Sequence, residues 1–595
     1  MKRITRREAL RLSALSLLTP YVLTACATGN GEDELPTPPE PLPPEPEPEV
    51  DWFEIDPNLP SQGAFGLSVA SGDPSPQGVI LWTRINPEAW QAETKLAFEM
   101  AATPDFAKPL VQGLIEPEEF GSERDHTVKI DLDGRLEPGR LYYYRFIYNK
   151  TASRTGKART LPAPGASLDQ LKLGVLTCQD YTNGYYATFA HLAQEELDFV
   201  VHLGDFIYET VGDPTFQSLP FPDRRLSLPS GQLVVQDLED YRHLYRSYRS
   251  DPFFQAALEA HTWIIIWDDH ETANDCYYDY DQDCTGLPDH PYFGDAAASN
   301  QLKLASQRAW SEYIPARPPY DPGASRPLDA LTIYRSFQFG DLAELFMTDE
   351  RTYRVPPPCG VDQVFGRYAS PGCPEQNAPT TSMLGPEQRD WLLAGMKRSR
   401  ATWKIWGNEV LQMPLKITAL YFTLDGWDGY QYERELIARE LQKAGVKNLV
   451  VLTGDLHSAL AGYVQADYSQ NDEKSRVGVE FMTPAVTSAN LVEQISGILR
   501  TADTKSLSPE QRREVQELER LLQDPDGALQ MAVSALNPHM QFFNSSKWGY
   551  SVMEFNRNEA TYTCYSVDKS RNDAGASKAV LKTLRVPQGR VSLEG

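Results

Sequence analysis

The sequence predicts an α/β protein that carries a small all-β region near its N-terminus. From Leu171 onward, apolar β-like runs alternate with longer helical stretches, a pattern typical of a sheet covered on both faces. Residues 61–165 instead contain short β-like runs separated by turn signals, which favours a β-sandwich. The chain has 595 residues, 41% hydrophobic and 23% charged. It is therefore long enough for more than one globular domain.

Residues 1–25 are predicted to be an export signal. A basic head precedes an apolar stretch that is too short to span a bilayer as a permanent helix. Residues Thr5–Leu10 resemble a twin-arginine (Tat) signal, and Leu23–Cys26 resembles a lipoprotein box in which Cys26 is lipidated. A plain signal peptide with a chance cysteine is the alternative. We therefore expect a periplasmic or cell-surface protein, joined to the membrane by a lipid on Cys26.

Residues 26–60 are predicted to be a disordered linker, because 30–50 are rich in proline and glutamate. The β-sandwich then occupies 61–165 and the catalytic α/β domain 166–595. The formal net charge is -26. We find no basic stripe of the kind that grips duplex nucleic acid. Such acidity repels anionic substrates unless bound cations offset it locally.

Cysteine placement adds constraints in an oxidising compartment. Two close pairs lie in loop-like sequence and are predicted disulfides, Cys276 with Cys284 and Cys359 with Cys373. Cys564 lies in an apparent strand, Thr561–Val567, and is predicted to be a buried thiol. Cys26 is assigned to the lipid. Cys178 is then the one cysteine without a structural assignment, which makes it a candidate for the functional site.

Ligand-type residues directly follow most of the predicted buried strands. The strands are Leu171–Thr177, Phe199–Leu203, Trp263–Trp267, Ala343–Met347, Trp403–Trp406, Leu449–Thr453 and Val479–Met482. The residues past the first six are Cys178, then Asp205, then Asp268 to His270, then Asp349 and Arg351, then Asn408, then Asp455 and His457. Sites in open α/β sheets form at the carboxyl ends of strands, so we expect these side chains to converge. His202, inside its strand, is predicted to be a satisfied core histidine.

The local motifs indicate metal chemistry. In Gly204-Asp205-x-x-Tyr208, the carboxylate can bridge two metals and the phenol lies one turn further on. Asp455 and His457 are two residues apart, so both can reach a metal from one strand end. Four of the candidate residues also have a structural interpretation. These are a buried free thiol for Cys178, core packing for Tyr208, a cap for Asp268 and a turn for Asn408.

Together these motifs resemble the PhoD-type alkaline phosphatases of the calcineurin-like metallophosphoesterase group. The matching segments run in the expected order over most of the mature chain: Phe65–Pro74, Ile80–Arg84, Thr177–Tyr181, His202–Glu209, Asp268–Glu271, Trp427–Tyr430 and Thr453–His457. The resemblance implies a four-layer fold, two β-sheets flanked by helices, with an N-terminal Ig/fibronectin-like β-sandwich. It also implies one iron (Fe3+) with calcium ions.

Motif matching assigns ligands to these metals. The implied iron ligands are Cys178, Asp205, Tyr208 and His457. Asp205 is also expected to face a second cation, together with Asn274 and Asp455, and Asp269 and Asp428 are further metal candidates. Thiolate, phenolate and imidazole suit a transition metal, whereas carboxylate and amide oxygens suit calcium.

The resulting hypothesis is metal-assisted hydrolysis of small phosphate esters by a monomeric enzyme. Arg351 is a candidate phosphate clamp, or else a salt-bridge partner of a nearby acid. His270 is expected to protonate the leaving group, or to orient a ligand. Two other functions fit the same residues. They are a phospholipase-D-like phosphodiesterase and a surface-anchored binding protein whose metals are structural.

Overall fold

A computed structural model describes residues 50–213, 217, 221–362, 366–470, 472–501 and 508–595. The predicted export signal, Cys26 and most of the predicted linker lie outside these residues. Residues Trp52–Gly595 form one compact unit with mixed α/β structure. Within the described ranges, no helix combines the length and apolarity that crossing a bilayer requires.

The N-terminal part of this unit is rich in β-structure. Its strands are β1 (Val69–Ser75), β2 (Gly78–Arg84), β3 (Leu96–Ala101), β4 (Pro109–Ile115), β5 (Thr127–Asp131), β6 (Leu141–Tyr148), β7 (Thr151–Ala152) and β8 (Gly156–Arg159). β3, β4, β6, β7 and β8 form one sheet, whereas β1, β2 and β5 belong to another. Val79 and Leu81 of β2 share a buried core with Phe98 and Phe146 of the first sheet. Two packed sheets thus enclose this core.

The remaining strands build the sheets that carry the site. They are β9 (Gln170–Leu176), β10 (Phe199–His202), β11 (Thr262–Ile265), β12 (Tyr277–Asp279), β13 (Cys284–Gly286), β14 (Arg335–Phe339), β15 (Ala343–Met347), β16 (Tyr368–Ser370), β17 (Trp403–Gly407), β18 (Tyr421–Thr423), β19 (Leu449–Thr453), β20 (Ala459–Gln465), β21 (Arg476–Met482), β22 (Met540–Asn544), β23 (Gly549–Asn556), β24 (Glu559–Val567) and β25 (Lys578–Pro587). Each of the seven predicted strands overlaps one of them. Those predictions are confirmed to within a few residues.

Two large sheets result. The nine-stranded sheet has the order β25-β24-β23-β9-β10-β11-β1-β2-β5, and the seven-stranded sheet has the order β14-β15-β17-β19-β21-β20-β22. β9, β10 and β11 are parallel in the first, and β15, β17, β19 and β21 are parallel in the second. β1 pairs in parallel with β11, through Ser71 and Thr262. The N-terminal strands therefore continue the sheet of the α/β part.

Ten helices lie within the described residues, and some of them begin at a side-chain cap. They are α1 (Ala187–Leu192), α2 (Leu238–Arg249), α3 (Pro252–Ala260), α4 (Ala296–Tyr313), α5 (Pro327–Ala330), α6 (Gly385–Arg398), α7 (Gln431–Lys443), α8 (Leu491–Thr501), α9 (Pro509–Leu522) and α10 (Gln530–Leu536). Asp237 and Asp251 cap α2 and α3 by accepting backbone N–H groups of the first turn. These helices confirm the predicted alternation of strands with longer helical stretches.

The two large sheets pack face to face. Phe481 of β21 stacks on Tyr562 of β24 with 4.5 Å between ring centroids. On the outer face of the nine-stranded sheet, Trp263 contacts Phe254 of α3. On the outer face of the seven-stranded sheet, residues of β15, β17 and β19 share a core with α6 and α7. Because strand residues alternate between faces, these sheets are buried on both sides.

One of the two predicted disulfides is present in the structure. Cys359 and Cys373 form a disulfide, as predicted. Cys276 and Cys284 are both free thiols, so that prediction is wrong. Cys284 lies opposite Asp279 in the β12–β13 hairpin. Cys276 is three residues before Asp279, and three residues of extended chain span about 10 Å. That distance exceeds disulfide reach. Cys564 is buried and free, as expected.

Candidate metal centre

The ends of the parallel strands bring the predicted side chains together. The loops after β10, β11, β18 and β19 meet at one cavity. Its lining includes Asp205, Asp269, His270, Asn274, Asp275, Tyr368, Asp425, Asp455, His457 and Gln494. The convergence expected from the strand-end residues is therefore present.

The backbone at these positions adopts an uncommon conformation. The φ angles are +57° at Cys178, +57° at Asp205, +65° at Asp455 and +54° at His457. Residues other than glycine rarely occupy this left-handed region, and such residues cluster at functional sites. Gly204, with φ of +105°, lets the chain pass Asp268, because a Cβ there would lie 2.4 Å from the Asp268 Cβ. These turns bring Asp205, Asp455 and His457 into the lining of the cavity.

One group of side chains gathers around Asp205. The ligand atoms of Cys178, Asp205 and His457 all lie within 4.8 Å of one another. The Tyr208 hydroxyl lies 2.8 Å from Asp205 Oδ2 and 2.9 Å from His457 Nε2. A thiol, a phenol, an imidazole and a carboxylate thus share one small volume.

The His457 ring is oriented by its second nitrogen. Nδ1 contacts the carbonyl oxygen of Ala489 and the side chain of Gln494. The backbone carbonyl can accept only a proton held on Nδ1, which leaves the lone pair of Nε2 toward Tyr208 and Asp205. Metal-binding histidines are commonly fixed in this way.

A second group of oxygens lies beside the first. Asp269 and His270 have ligand atoms within 4.8 Å of those of Asp205, and Asp269 forms a further such group with Asp268 and Asp455. His270 Nδ1 lies 2.6 Å from Glu209 Oε2, and its ring packs on Tyr208 with centroids 4.1 Å apart. This side of the cavity is rich in carboxylates.

Arg351 lies behind the cavity and is fully buried. Its guanidinium donates to Asp268, to Asp425 Oδ2 at 2.6 Å and to Asp455 Oδ1 at 2.9 Å. Asp269 Oδ2 lies 3.6 Å from Nη2. The salt-bridge alternative therefore describes Arg351. The phosphate-clamp prediction is corrected, because carboxylates already engage its nitrogen atoms and it does not line the cavity.

The titration behaviour of these residues follows from burial and from the excess of acid. Burial and the Asp205 carboxylate both raise the pKa of Cys178 and of Tyr208 well above their ordinary values. Burial alone would lower the pKa of His270, but Glu209, Asp269 and Asp205 raise it well above its ordinary value. For Asp455, burial and neighbouring carboxylates outweigh Arg351 and raise the pKa. The protein alone supplies too little positive charge for this cluster.

The residues fit bound metal ions. Asp268 Oδ2 is buried with no hydrogen-bond partner among the described residues. Thiol and phenol groups that stay protonated here would lose their protons to a cation, since metal ligands bind in the deprotonated form. Cys178, Tyr208 and His457 offer the donors of a transition-metal site, and the aspartates offer oxygens for hard cations.

Comparison with known proteins matches this arrangement. The model of the PhoD-like phosphatase family matches residues 173–564, and that of the PhoD-like phosphatase N-terminal domain matches 54–162. Alkaline phosphatase D of Bacillus subtilis (strain 168) is 31% identical over 510 residues, which cover 84% of this chain and 77% of that protein. The chain belongs to the PhoD-like phosphatase family. A solved structure of PhoD superposes with a TM-score of 0.71 and 27% identity, covering 91% of this chain and 93% of the other.

Family membership makes this PhoD-like phosphatase a phosphoric ester hydrolase. Metal dependence is a property of the family, and the clustered acidic and histidine side chains are groups that could bind metal.

Two predicted residues have other partners in this PhoD-like phosphatase. Asp428 is not brought to the cluster. Its oxygens accept the backbone N–H of Leu415 and a bond from Arg434, each at 2.8 Å, so the ligand prediction for Asp428 is corrected. Asn408 donates to Thr453 and accepts from the Trp427 indole, which is a packing role.

Other residues of the phosphatase site were missed. Asp425 accepts bonds from both Arg351 and Arg354, and its ligand atoms lie near those of Asp269 and Asp275. Asp425 follows the short strand β18 by two residues. If β18 had been recognised as a strand, the expectation that site residues follow strand ends would have identified Asp425. Asp275 carried a simpler signal, because it directly follows the predicted ligand Asn274.

Proposed function

We propose that the protein is an exported, metal-dependent hydrolase that releases phosphate from small phosphate esters, with activity on monoesters and diesters. The observation that supports this proposal is the convergence of Cys178, Tyr208 and His457 on Asp205. These residues lie far apart in sequence and meet only at the carboxyl ends of parallel strands. Their donor atoms suit a redox-capable transition metal, and we propose iron (Fe3+) there.

We propose calcium for the neighbouring oxygen-rich group. Asp205 would be shared between the two metals, with Asn274, Asp269 and Asp455 supplying further oxygens. Bound cations would polarise the phosphoryl oxygens, activate water and neutralise the charge of an anionic substrate. Without them, the acidic surroundings repel phosphate esters. Arg351 would neutralise Asp268, Asp425 and Asp455 from behind and so limit the number of cations required.

His270 is the proposed proton donor. It lines the cavity, and Glu209 holds its Nδ1 at 2.6 Å. Glu209, Asp269 and Asp205 raise the pKa of His270, which favours its protonated form. A proton held on its Nε2 can pass to the oxygen of the leaving alcohol, as general acid catalysis requires.

The experiment compares wild type with Asp205→Asn in three measurements: metal content, visible absorption and release of p-nitrophenol from a phosphate monoester and a diester. We expect coloured wild-type protein, since an iron(III)–phenolate pair absorbs visible light. Asp205→Asn should lose metal and turnover while its circular dichroism stays unchanged.

Asp281→Asn, an exposed change on the β12–β13 hairpin, is the control. Turnover by Asp205→Asn at the wild-type rate would refute the proposal. A strong preference for the diester would favour the phosphodiesterase alternative.

The finer architectural and cellular predictions belong to this proposal. We propose a four-layer metallophosphoesterase fold with an N-terminal Ig/fibronectin-like sandwich, supported by the helix–sheet–sheet–helix packing and the separate N-terminal core. We propose Tat export, a lipid anchor on Cys26 and a monomeric state. The disulfide between Cys359 and Cys373 supports an oxidising compartment.

A further inference from the structure

The side-chain amide of Asn274 offers an oxygen atom and a nitrogen atom, and only one of them can bind a metal ion. An amide can bind a hard cation only through its oxygen, because its nitrogen carries two protons and no free lone pair. In the structure, Nδ2 of Asn274 donates to Asp289 Oδ2 at 2.6 Å. The reversed orientation would place an amide oxygen against a carboxylate oxygen, which is repulsive. Asp289 therefore determines which end of the Asn274 side chain is available to the cavity.

Asp289 is in turn held by Arg367. The guanidinium of Arg367 donates to Asp289 Oδ1 at 2.6 Å and to Oδ2 at 2.9 Å, a two-pronged contact that fixes the plane of the carboxylate. Arg367 is itself buried, and it also contacts Asp275.

The segment that carries Arg367 is anchored on several sides. The Arg367 backbone accepts a bond from the N–H of Leu424 at 2.6 Å, and its Nε donates to the carbonyl of Val361 at 2.8 Å. The residue lies between the half-cystines Cys359 and Cys373. These contacts hold Arg367 in place, and Arg367 in turn holds the Asp289 carboxylate that orients Asn274.

We propose that Asp289 is a positioning residue, held by Arg367, that reserves the amide oxygen of Asn274 for a hard divalent cation. This inference rests on the proposed metal-dependent function and adds two residues to the site. Asp289 does not line the cavity itself. It acts by removing the alternative amide orientation, as residues behind metal ligands do elsewhere. Loss of such a residue commonly weakens metal affinity by about 10- to 100-fold.

The test measures Ca2+ binding to the full chain by titration calorimetry, after dialysis against a calcium chelator. Asp289→Ala removes the acceptor, and we expect calcium affinity to fall by about tenfold or more. Asp281→Ala removes an equal charge from an exposed position in the preceding hairpin, so it controls for long-range electrostatics. We expect its calcium affinity to stay within about twofold of wild type.

An exchange of the two side chains separates positioning from general disruption. Asn274→Asp alone sets two carboxylates against each other and should bind calcium weakly. The double variant Asn274→Asp with Asp289→Asn restores one donor and one acceptor. It should recover most of the wild-type affinity, which a merely structural role would not predict.

The outcomes distinguish this inference from the proposed function. Wild-type affinity in Asp289→Ala, with calcium binding and ester hydrolysis intact in wild type, would overturn the positioning role alone. No recovery in the double variant, at unchanged thermal stability, would also overturn it. A wild-type protein that binds no calcium would overturn the inference and the calcium part of the proposed function together.

Discussion

Replacing Arg351 by methionine tests the charge balance of the site. Arg351 is fully buried and contacts Asp268, Asp425 and Asp455, with Asp269 3.6 Å away. Removing one partner from a buried ionic network typically costs about 3–5 kcal/mol, because the remaining charges lose their compensation. Methionine fills similar volume, so little of this loss comes from a cavity. We expect the free energy of unfolding to fall by that amount when calcium is chelated.

Calcium should oppose this loss. A cation that binds only the folded state adds about 2.7 kcal/mol of stability at 100 times its dissociation constant. Without the competing guanidinium, the carboxylates attract a cation more strongly. Calcium should therefore stabilise Arg351→Met by more than it stabilises wild type. The assay is urea unfolding followed by tryptophan fluorescence, with calcium or with chelator.

Arg249→Met is the matched control. Arg249 is also fully buried, but it packs over Trp82 and donates to the carbonyl of Tyr313. Its loss should reduce stability equally with and without calcium. If calcium stabilised both variants to the same extent, or if Arg351→Met were as stable as wild type in chelator, the reasoning about charge balance would be refuted.

Three further changes have defined outcomes. Burial lowers the pKa of His202 to about 3, so between about pH 6.5 and 3 the unfolded chain binds a proton that the folded chain does not, and stability is lost as pH falls through this range. In urea titrations, the loss of unfolding free energy between neutral pH and pH 4 should be about 3 kcal/mol smaller for His202→Gln than for wild type, and an unchanged pH profile would contradict this. Gly204→Ala should cost about 2 kcal/mol, because its Cβ meets Asp268 at a positive φ, and an unaltered urea midpoint would show that the turn can relax. Reducing the disulfide between Cys359 and Cys373 should cost about 3 kcal/mol from loop entropy, with the doubly serine-substituted chain as the reductant-insensitive control; equal stability of oxidised and reduced wild type would argue against it.

The parallel strands could be predicted from sequence because strands buried on both faces are continuous apolar runs. The rule that sites form at carboxyl ends then predicts that Cys178, Asp205 and His457 lie together. His202 was predicted to be satisfied, and it contacts Gln179 and accepts from the N–H of Gly204.

Other features depended on contacts that sequence does not reveal. The partners of Arg351 come from loops that lie 74 to 104 residues away, so its ion pairs could not be distinguished from a substrate contact. Asp425 and Asp428 are three residues apart, and only the turn after β18 decides which of them faces the cavity. The separation of Cys276 from Cys284 depends on the hairpin register, which a shift of a few residues would have changed.

The pairing of β1 with β11 has a practical consequence for studies of the catalytic half. A fragment that begins after residue 165 would expose the backbone edge of β11, which β1 covers in the intact chain. Unprotected edges of this kind recruit strands from other molecules. We expect such a fragment to aggregate, so the N-terminal strands act as an edge cover that must be expressed in the same polypeptide.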